Sequence, residues 1–301
     1  MAAPLISYIT FNRLGLTVKS LSSILKSRED FELAIVDNNS RDGTWNYIQE
    51  LTDKRIKYKT RLPVNLGHVY ALNHNLSKRR DNQYFIAVEN NVIVETPNWL
   101  TTIMRAFRVF PDIGLLCIHD NFPPPNLPQV KPRVKNEIIC MEFSKEQALP
   151  SDAHDHYVPG DILCLKPDLI RKIGYFSEEN YHGSMELFNR ANNYTPHKTA
   201  ILLNVAISIP SQVTCAECPC QNICELDTPQ KTCITLYEEL NSNAAFRKKF
   251  YWKYNETCKD LISGARTPYC TSQFSDDSVS SVPYNLDWAI ENLQFYIEKG
   301  N

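Results

Sequence analysis

The chain contains no run of eighteen apolar residues, roughly the shortest stretch that spans a bilayer as a helix. The sequence therefore predicts no transmembrane helix. Its first residues, Met1-Ala2-Ala3-Pro4-Leu5, lack the basic region and following apolar stretch of a secretory signal, so a cytoplasmic location is expected. Nor is there an excess of one charge: 32 basic side chains stand against 34 acidic ones, a formal net charge of −2. No global field points to nucleic acid or to an anionic membrane, which leaves only local patches for such partners. No internal repeat is present. What the chain does have is length and apolar content. Its 301 residues are 43% hydrophobic, enough for one large core or two ordinary ones.

The first 120 residues alternate strand and helix patterns. Leu5 to Thr10, Phe31 to Val36, Ile56 to Lys59, Tyr84 to Val88 and Ile113 to Ile118 read as strands. Helical patterns lie between them, at about Leu16 to Leu25, Thr44 to Leu51, Gly67 to Ser77 and Pro97 to Phe110. This order predicts an α/β fold with a mainly parallel sheet and helices on both faces. Sheets of that kind bind ligands beyond the carboxyl ends of their strands, and polar residues follow Thr10, Val36 and Val88 here. A Pro-rich loop is expected from Asn121 to Pro132, then a second α/β stretch from about Val158 to Ile209. Three segments follow: 1–120 as a nucleotide-binding half, 121–210 as an acceptor-binding half, and 211–301 as a small, mostly helical Cys-rich extension.

Several segments together resemble a known family. Ile6-Ser7-Tyr8-Ile9-Thr10-Phe11-Asn12-Arg13 is similar to the opening strand and turn of the family 2 glycosyltransferases. Val36-Asp37-Asn38-Asn39-Ser40-Arg41-Asp42-Gly43-Thr44 resembles their second-strand signature, and Asn65-Leu66-Gly67-His68-Val69-Tyr70-Ala71-Leu72-Asn73 their Asn-x-Gly segment. Each motif is weak alone; their order and spacing over about the first 100 residues make the likeness specific. The resemblance implies a GT-A (Rossmann-like) fold and transfer of a hexosyl or pentosyl group from a nucleotide sugar, with inversion, to an acceptor hydroxyl. The donor is expected to be UDP-linked.

The chemistry of the residues agrees. A uracil-like base needs an acceptor for its ring N–H and a donor for its carbonyl, which Asp37 and Asn38 supply. Thr10, Asn12 and Arg13 stand at the neighbouring strand end, where base or diphosphate would lie. Asn65 and Gly67 open a helix whose backbone N–H groups suit an anion. The structural alternative for Asp37 to Gly43 is a tight turn with a helix cap.

Two departures from the family pattern matter. Where the family carries an acidic pair that holds a divalent cation, this chain reads Val88-Glu89-Asn90-Asn91, with one carboxylate. Hard cations prefer carboxylates, so Mn²⁺ or Mg²⁺ is expected to be held weakly by Glu89 and Asn91, near the ribose and diphosphate together with Asn90, or replaced by Arg13, Arg61 or His68. The family's catalytic Asp falls on Ser184 here. Glu186, in Gly183-Ser184-Met185-Glu186-Leu187-Phe188-Asn189-Arg190, is the first candidate base, and Asp161 the second. The plain reading of Glu186 is an ion pair with Arg190 four residues on.

Ten cysteines are distributed unevenly, with seven between Cys215 and Cys270. Cys215, Cys218, Cys220, Cys224 and Cys233 have spacings that suit a tetrahedral structural Zn²⁺; disulfides, free thiols or an iron–sulfur cluster are the alternatives. After them, Phe246 to Tyr254 interleaves basic and aromatic residues. Lys248, Lys249 and Trp252 are candidate acceptor contacts, against the reading of an amphipathic packing helix. The acceptor class is open: a glycan, a protein or nucleic acid, including a hydroxylated base in DNA. A non-catalytic protein that binds a nucleotide sugar or nucleic acid is the rival reading.

Overall fold

The computed structural model describes residues 2–145, 159–180, 183–210, 242–275 and 285–300, together with 236 and 239. The order of elements is β1 (Leu5–Thr10), α1 (Leu14–Leu25), β2 (Glu32–Asp37), α2 (Thr44–Glu50), β3 (Ile56–Arg61), α3 (Gly67–Leu76), β4 (Phe85–Val88), β5 (Ile93–Val94), α4 (Trp99–Val109), β6 (Ile113–Ile118), β7 (Val130–Lys135), β8 (Ile138–Phe143), β9 (Ile162–Leu165), α5 (Pro167–Ile173), α6 (Gly183–Tyr194), β10 (Lys198–Leu202), β11 (Ile207–Ser208), α7 (Ala244–Ser263) and α8 (Leu286–Lys299).

Nine strands form one sheet in the order β3-β2-β1-β4-β9-β6-β10-β8-β7. The β3-β2-β1-β4 half is parallel throughout. Every residue of β1, β4, β6 and β9 is buried, as expected of strands covered on both faces. Alternate residues feed two cores. Ile6 and Tyr8 join Leu21, Trp99 and Phe107 on one face, while Leu5 and Ile9 join Leu72, Phe85 and Phe176 on the other.

The α/β expectation and its central sheet hold. The sequence did not reveal that β9 enters antiparallel between β4 and β6, which brings Asp161, just ahead of it, beside the end of β4. The expected Pro-rich loop also ends early, because Val130–Lys135 is the edge strand β7, paired to β8 alone. Pro132 is accommodated there since an edge strand can spare an N–H.

The C-terminal helices pack directly onto the sheet domain. Cys270 bridges Gly174, and Arg190 donates to the carbonyls of Ile173, Tyr175 and Pro268. Arg266 pairs with Glu179. The five cysteines expected to hold zinc lie outside the described residues. Cys258 and Cys270 are buried free thiols, both pushed up to about 12, chiefly by burial. Among the described residues no helix is long and apolar enough to cross a membrane.

Candidate active site

The turns that follow β1 and β2 interlock. Thr10 and Asp37 face each other in register at the two strand ends. Asn12 and Arg13 both adopt left-handed backbone (φ 54° and 65°), which turns the chain sharply into α1. The turn is held from outside: the Asn12 amide donates to Ser40 Oγ at 2.7 Å, and Arg41 N donates to Asn12 Oδ1 at 2.8 Å. Asp42 closes the knot. One carboxylate oxygen accepts from Leu14 N at 2.8 Å and the other from Thr44 N and Oγ1 at 3.2 and 2.6 Å, so a single side chain caps the starts of α1 and α2. The cap and the turn are both present, and Asp37 stands beside them.

Most strand-end groups named from the sequence are spent on each other. Thr10 Oγ1 bonds Thr17 Oγ1 at 2.9 Å. Asn38 bridges to α3, donating to Gly67 O at 3.1 Å and accepting from Leu66 N at 3.1 Å. Asn65 Oδ1 accepts from Gly67 N at 2.9 Å. The expectation that Gly67 offers its N–H to an anion is therefore corrected: the N–H is taken, and the residue is glycine for another reason. Its φ is +84°, and a Cβ there would run into the Tyr296 ring. Gly67→Ala is expected to cost about 1–3 kcal/mol, read as a lower urea midpoint.

Two buried polar atoms stay without a partner at this strand end: Asp37 Oδ1 and Arg13 Nη1. Asp37 is fully buried and Arg13 is 2% exposed. The other Asp37 oxygen accepts from Ser40 N at 3.0 Å and lies 3.5 Å from Arg61 Nε. Burial raises the Asp37 pKa, against the hydrogen bonds of Ser40 and the charge of Arg61. Arg13 forms no ion pair among the described residues. A buried guanidinium nitrogen and a buried carboxylate oxygen, each without a partner, are costly unless a ligand completes them.

At the end of β4, Glu89 Oε1 is 3.3 Å from His68 Nε2, and both side chains are partly exposed. Desolvation works against charge on each, yet their mutual attraction wins, raising the His68 pKa and lowering that of Glu89. Asn90 is buried, and its carbonyl accepts from Tyr8 Oη at 3.1 Å; Asn91 is half-buried. The Glu89 N–H donates to Asp161 O at 3.2 Å. Asp161 Oδ2 accepts from Asp120 N at 3.3 Å. Burial pushes the Asp161 carboxyl up to about 6, and the negative charges of Asp120 and Glu89 add to it.

A divalent cation does not fit these residues as they stand. Glu89, the one ionised ligand of the expected set, is engaged by His68, and Asn91 is neutral. Among the described residues no group of three His, Cys, Asp or Glu side chains is arranged to hold a metal.

Glu186 is elsewhere. It is 1% exposed in α6 and pairs with Arg190 Nε at 2.6 Å. Its charge is felt by Arg190, Arg266, Tyr254 and the thiols of Cys258 and Cys270, which places it under the C-terminal extension and not beside Glu89. The expected i,i+4 pair with Arg190 is present and buried. The basic patch is likewise reduced: Lys249 and Lys253 both pair with Glu291, at 2.5 and 2.8 Å. Trp252 is 51% exposed with its edge against Trp288, and Lys248 is exposed.

The family model of glycosyl transferase family 2 matches residues 6–159, just over half of the chain. The chain belongs to glycosyl transferase family 2. The match covers the strand ends described above and stops just before Asp161. Among solved structures, this family 2 glycosyltransferase is similar to a mannosyltransferase of Pyrobaculum calidifontis in complex with GDP-Man and Mn²⁺. Identity is 11%, coverage is 87% of this chain and 73% of that one, and the TM-score is 0.50; at that identity the likeness shows the fold alone. It is also similar to residues 1–349 of S. aureus TarS in complex with UDP-GlcNAc, at 18% identity and a TM-score of 0.49, covering 69% of this chain. The chain spans 57% of the length of that TarS structure. Its sequence matches none of the curated proteins.

The sequence named Arg13 and Asp37 as candidates and did not name Asp42, Asp120 or Tyr296, which the structure sets around these strand ends. Asp42 was inside the quoted turn and carried a cap signal. Asp120 and Tyr296 had none, because each reaches the site only through the tertiary fold.

Proposed function

We propose that the chain transfers a sugar from a UDP-sugar to an acceptor hydroxyl, with inversion. The observation that carries this reading is the pair of orphaned atoms, Asp37 Oδ1 and Arg13 Nη1, at adjacent strand ends. Asp37 has one oxygen left to accept with. Uracil presents a single ring N–H between two carbonyls, whereas guanine presents a ring N–H and an amino group that would call for both oxygens. One open oxygen suits uridine. Arg13 then donates to a base carbonyl or to the diphosphate.

Asp161 is the candidate base, favoured over Glu186 by its place beside Glu89 and by a carboxyl poised near neutrality. The acceptor O–H gives its proton to Asp161. The oxygen bonds to the anomeric carbon, and the bond from that carbon to the diphosphate breaks, releasing UDP. His68, its pKa raised by the charge of Glu89, stands at the same strand end, where its protonated form would meet the leaving group. No step is routed through a metal ion.

The acceptor is a hydroxyl compound. With Lys249 and Lys253 both drawn to Glu291, the basic patch is partly offset, and nothing favours nucleic acid over a glycan or protein.

Calorimetry should show UDP binding more tightly than GDP. Asp37→Ala should weaken UDP about 10- to 100-fold, the worth of one hydrogen bond to a charged group. Equal affinities for the two nucleotides would remove the uridine reading. Binding of UDP-sugars with no release of UDP, with EDTA or with added Mn²⁺ or Mg²⁺, would make the protein a non-catalytic binder.

A further inference from the structure

Asp161 stands on a turn, Gly160-Asp161, that leads directly into β9. The turn is pressed against the end of β6. Gly160 has a φ of +29°, and a Cβ there would stand 2.8 Å from the Ile118 carbonyl oxygen and 2.9 Å from the Ile118 nitrogen. Only glycine fits so close an approach. Glycine is also the residue with the widest backbone freedom, so the turn must be held by its neighbours.

Hydrogen bonds from two strand ends hold it. Asp161 N donates to Ile118 O at 2.9 Å, and Glu89 N donates to Asp161 O at 3.2 Å; both join main chain to main chain. Asp120 N donates to Asp161 Oδ2 at 3.3 Å, which orients the carboxylate. The remaining bond runs from Gly160 N to His119 Nε2, at 3.2 Å. Among these bonds His119 alone, apart from Asp161 itself, contributes a side chain.

The chemistry of His119 suits that task. Nε2 accepts a hydrogen bond only while it carries no proton. Burial lowers the His119 pKa to about 4, against the opposing charge of Asp120. The acceptor is therefore kept throughout the range in which the Asp161 carboxyl, pushed up to about 6, gains or loses its proton. Placement matters at this point because a misplacement of about 1 Å at a reacting group can cost on the order of 10²-fold in rate.

We propose that His119 is a positioning residue for Asp161: its imidazole accepts the Gly160 N–H and so fixes the turn that presents the carboxylate. The inference rests on the reading of Asp161 as the base.

The test compares the wild-type full chain with His119→Phe, which keeps a ring and loses the acceptor, and with His119→Gln, whose amide oxygen takes the place of Nε2. His119→Phe is expected to lower kcat about 10- to 100-fold with donor KM unchanged, and His119→Gln to retain most of the wild-type rate. Added to Asp161→Asn, His119→Phe should cost nothing further, because the two residues act as a unit. Amide hydrogen exchange at Gly160 should quicken in His119→Phe and stay near wild type in His119→Gln. Full kcat in His119→Phe, the same loss with and without the Asp161 carboxylate, no rescue by glutamine, or unchanged exchange at Gly160 would each overturn the proposal. An Asp161→Asn enzyme of full kcat with faster Gly160 exchange in His119→Phe would remove the base reading and leave His119 as the anchor of the turn.

Discussion

Asp161→Asn is expected to lower kcat by about 10²- to 10⁴-fold, with donor KM nearly unchanged. That is the usual worth of a positioned general base, and the split separates a group used in the transition state from one used in binding. The expectation comes from position: the backbone of Asp161 is bonded to Glu89 at the end of β4, and its carboxylate to the Asp120 amide. The base works ionised, and its carboxyl is pushed up to about 6. Turnover should therefore be flat above pH ~6 and fall on the acid side, tending to tenfold per unit as the proton occupies the site. Asp120→Asn removes one of the charges that raise the pKa, so the acid limb should move to lower pH. An acid limb indifferent to Asp120→Asn, or an Asp161→Asn enzyme of full kcat, would exclude this carboxylate as the base.

Glu186→Ala is expected to act on stability. Its partner, Arg190, is 1% exposed, and breaking a buried pair leaves a desolvated charge, at a cost of about 3–5 kcal/mol. For a chain of this size that corresponds to a fall in Tm on the order of 10 °C. Arg190 also holds the carbonyls of Ile173, Tyr175 and Pro268, so the loss should loosen the join between α5, α6 and the C-terminal segment. Calorimetric melting alongside kinetics separates the two roles. A Glu186→Ala protein with unchanged Tm and a large loss of kcat would return the base assignment to Glu186, and Asp161 would then be the bystander.

Much of the fold was legible because parallel core strands write themselves as uninterrupted apolar runs. Leu5–Thr10 and Ile113–Ile118 are where the pattern placed them, and α2 and α3 fall within a residue or so of expectation. The hairpin of β7 and β8 was not read. Its edge strand is half-exposed and contains Pro132, so neither apolar run nor propensity marks it. The same division runs through the site. The placement of Asp37 and Arg13 at strand ends was legible because a strand followed by a tight polar turn fixes where a side chain emerges. The choice between Asp161 and Glu186 was not, since both are lone acids near the start of an element.

By itself, then, the sequence determined the first 120 or so residues: the order of strands and helices, the polar turns at the carboxyl ends, and membership in a family whose signature is local and ordered. Those features depend on residues a few positions apart, and periodicity and turn chemistry encode them directly. The tertiary structure alone decided three things: that β9 lies beside β4 and carries Asp161 to Glu89, that Glu186 is buried against Arg190, and that Tyr296 rests on Gly67. Each joins segments roughly 70 or more residues apart, or turns on burial that no local pattern records. Contacts at that range are set by how the sheet closes and what packs over it.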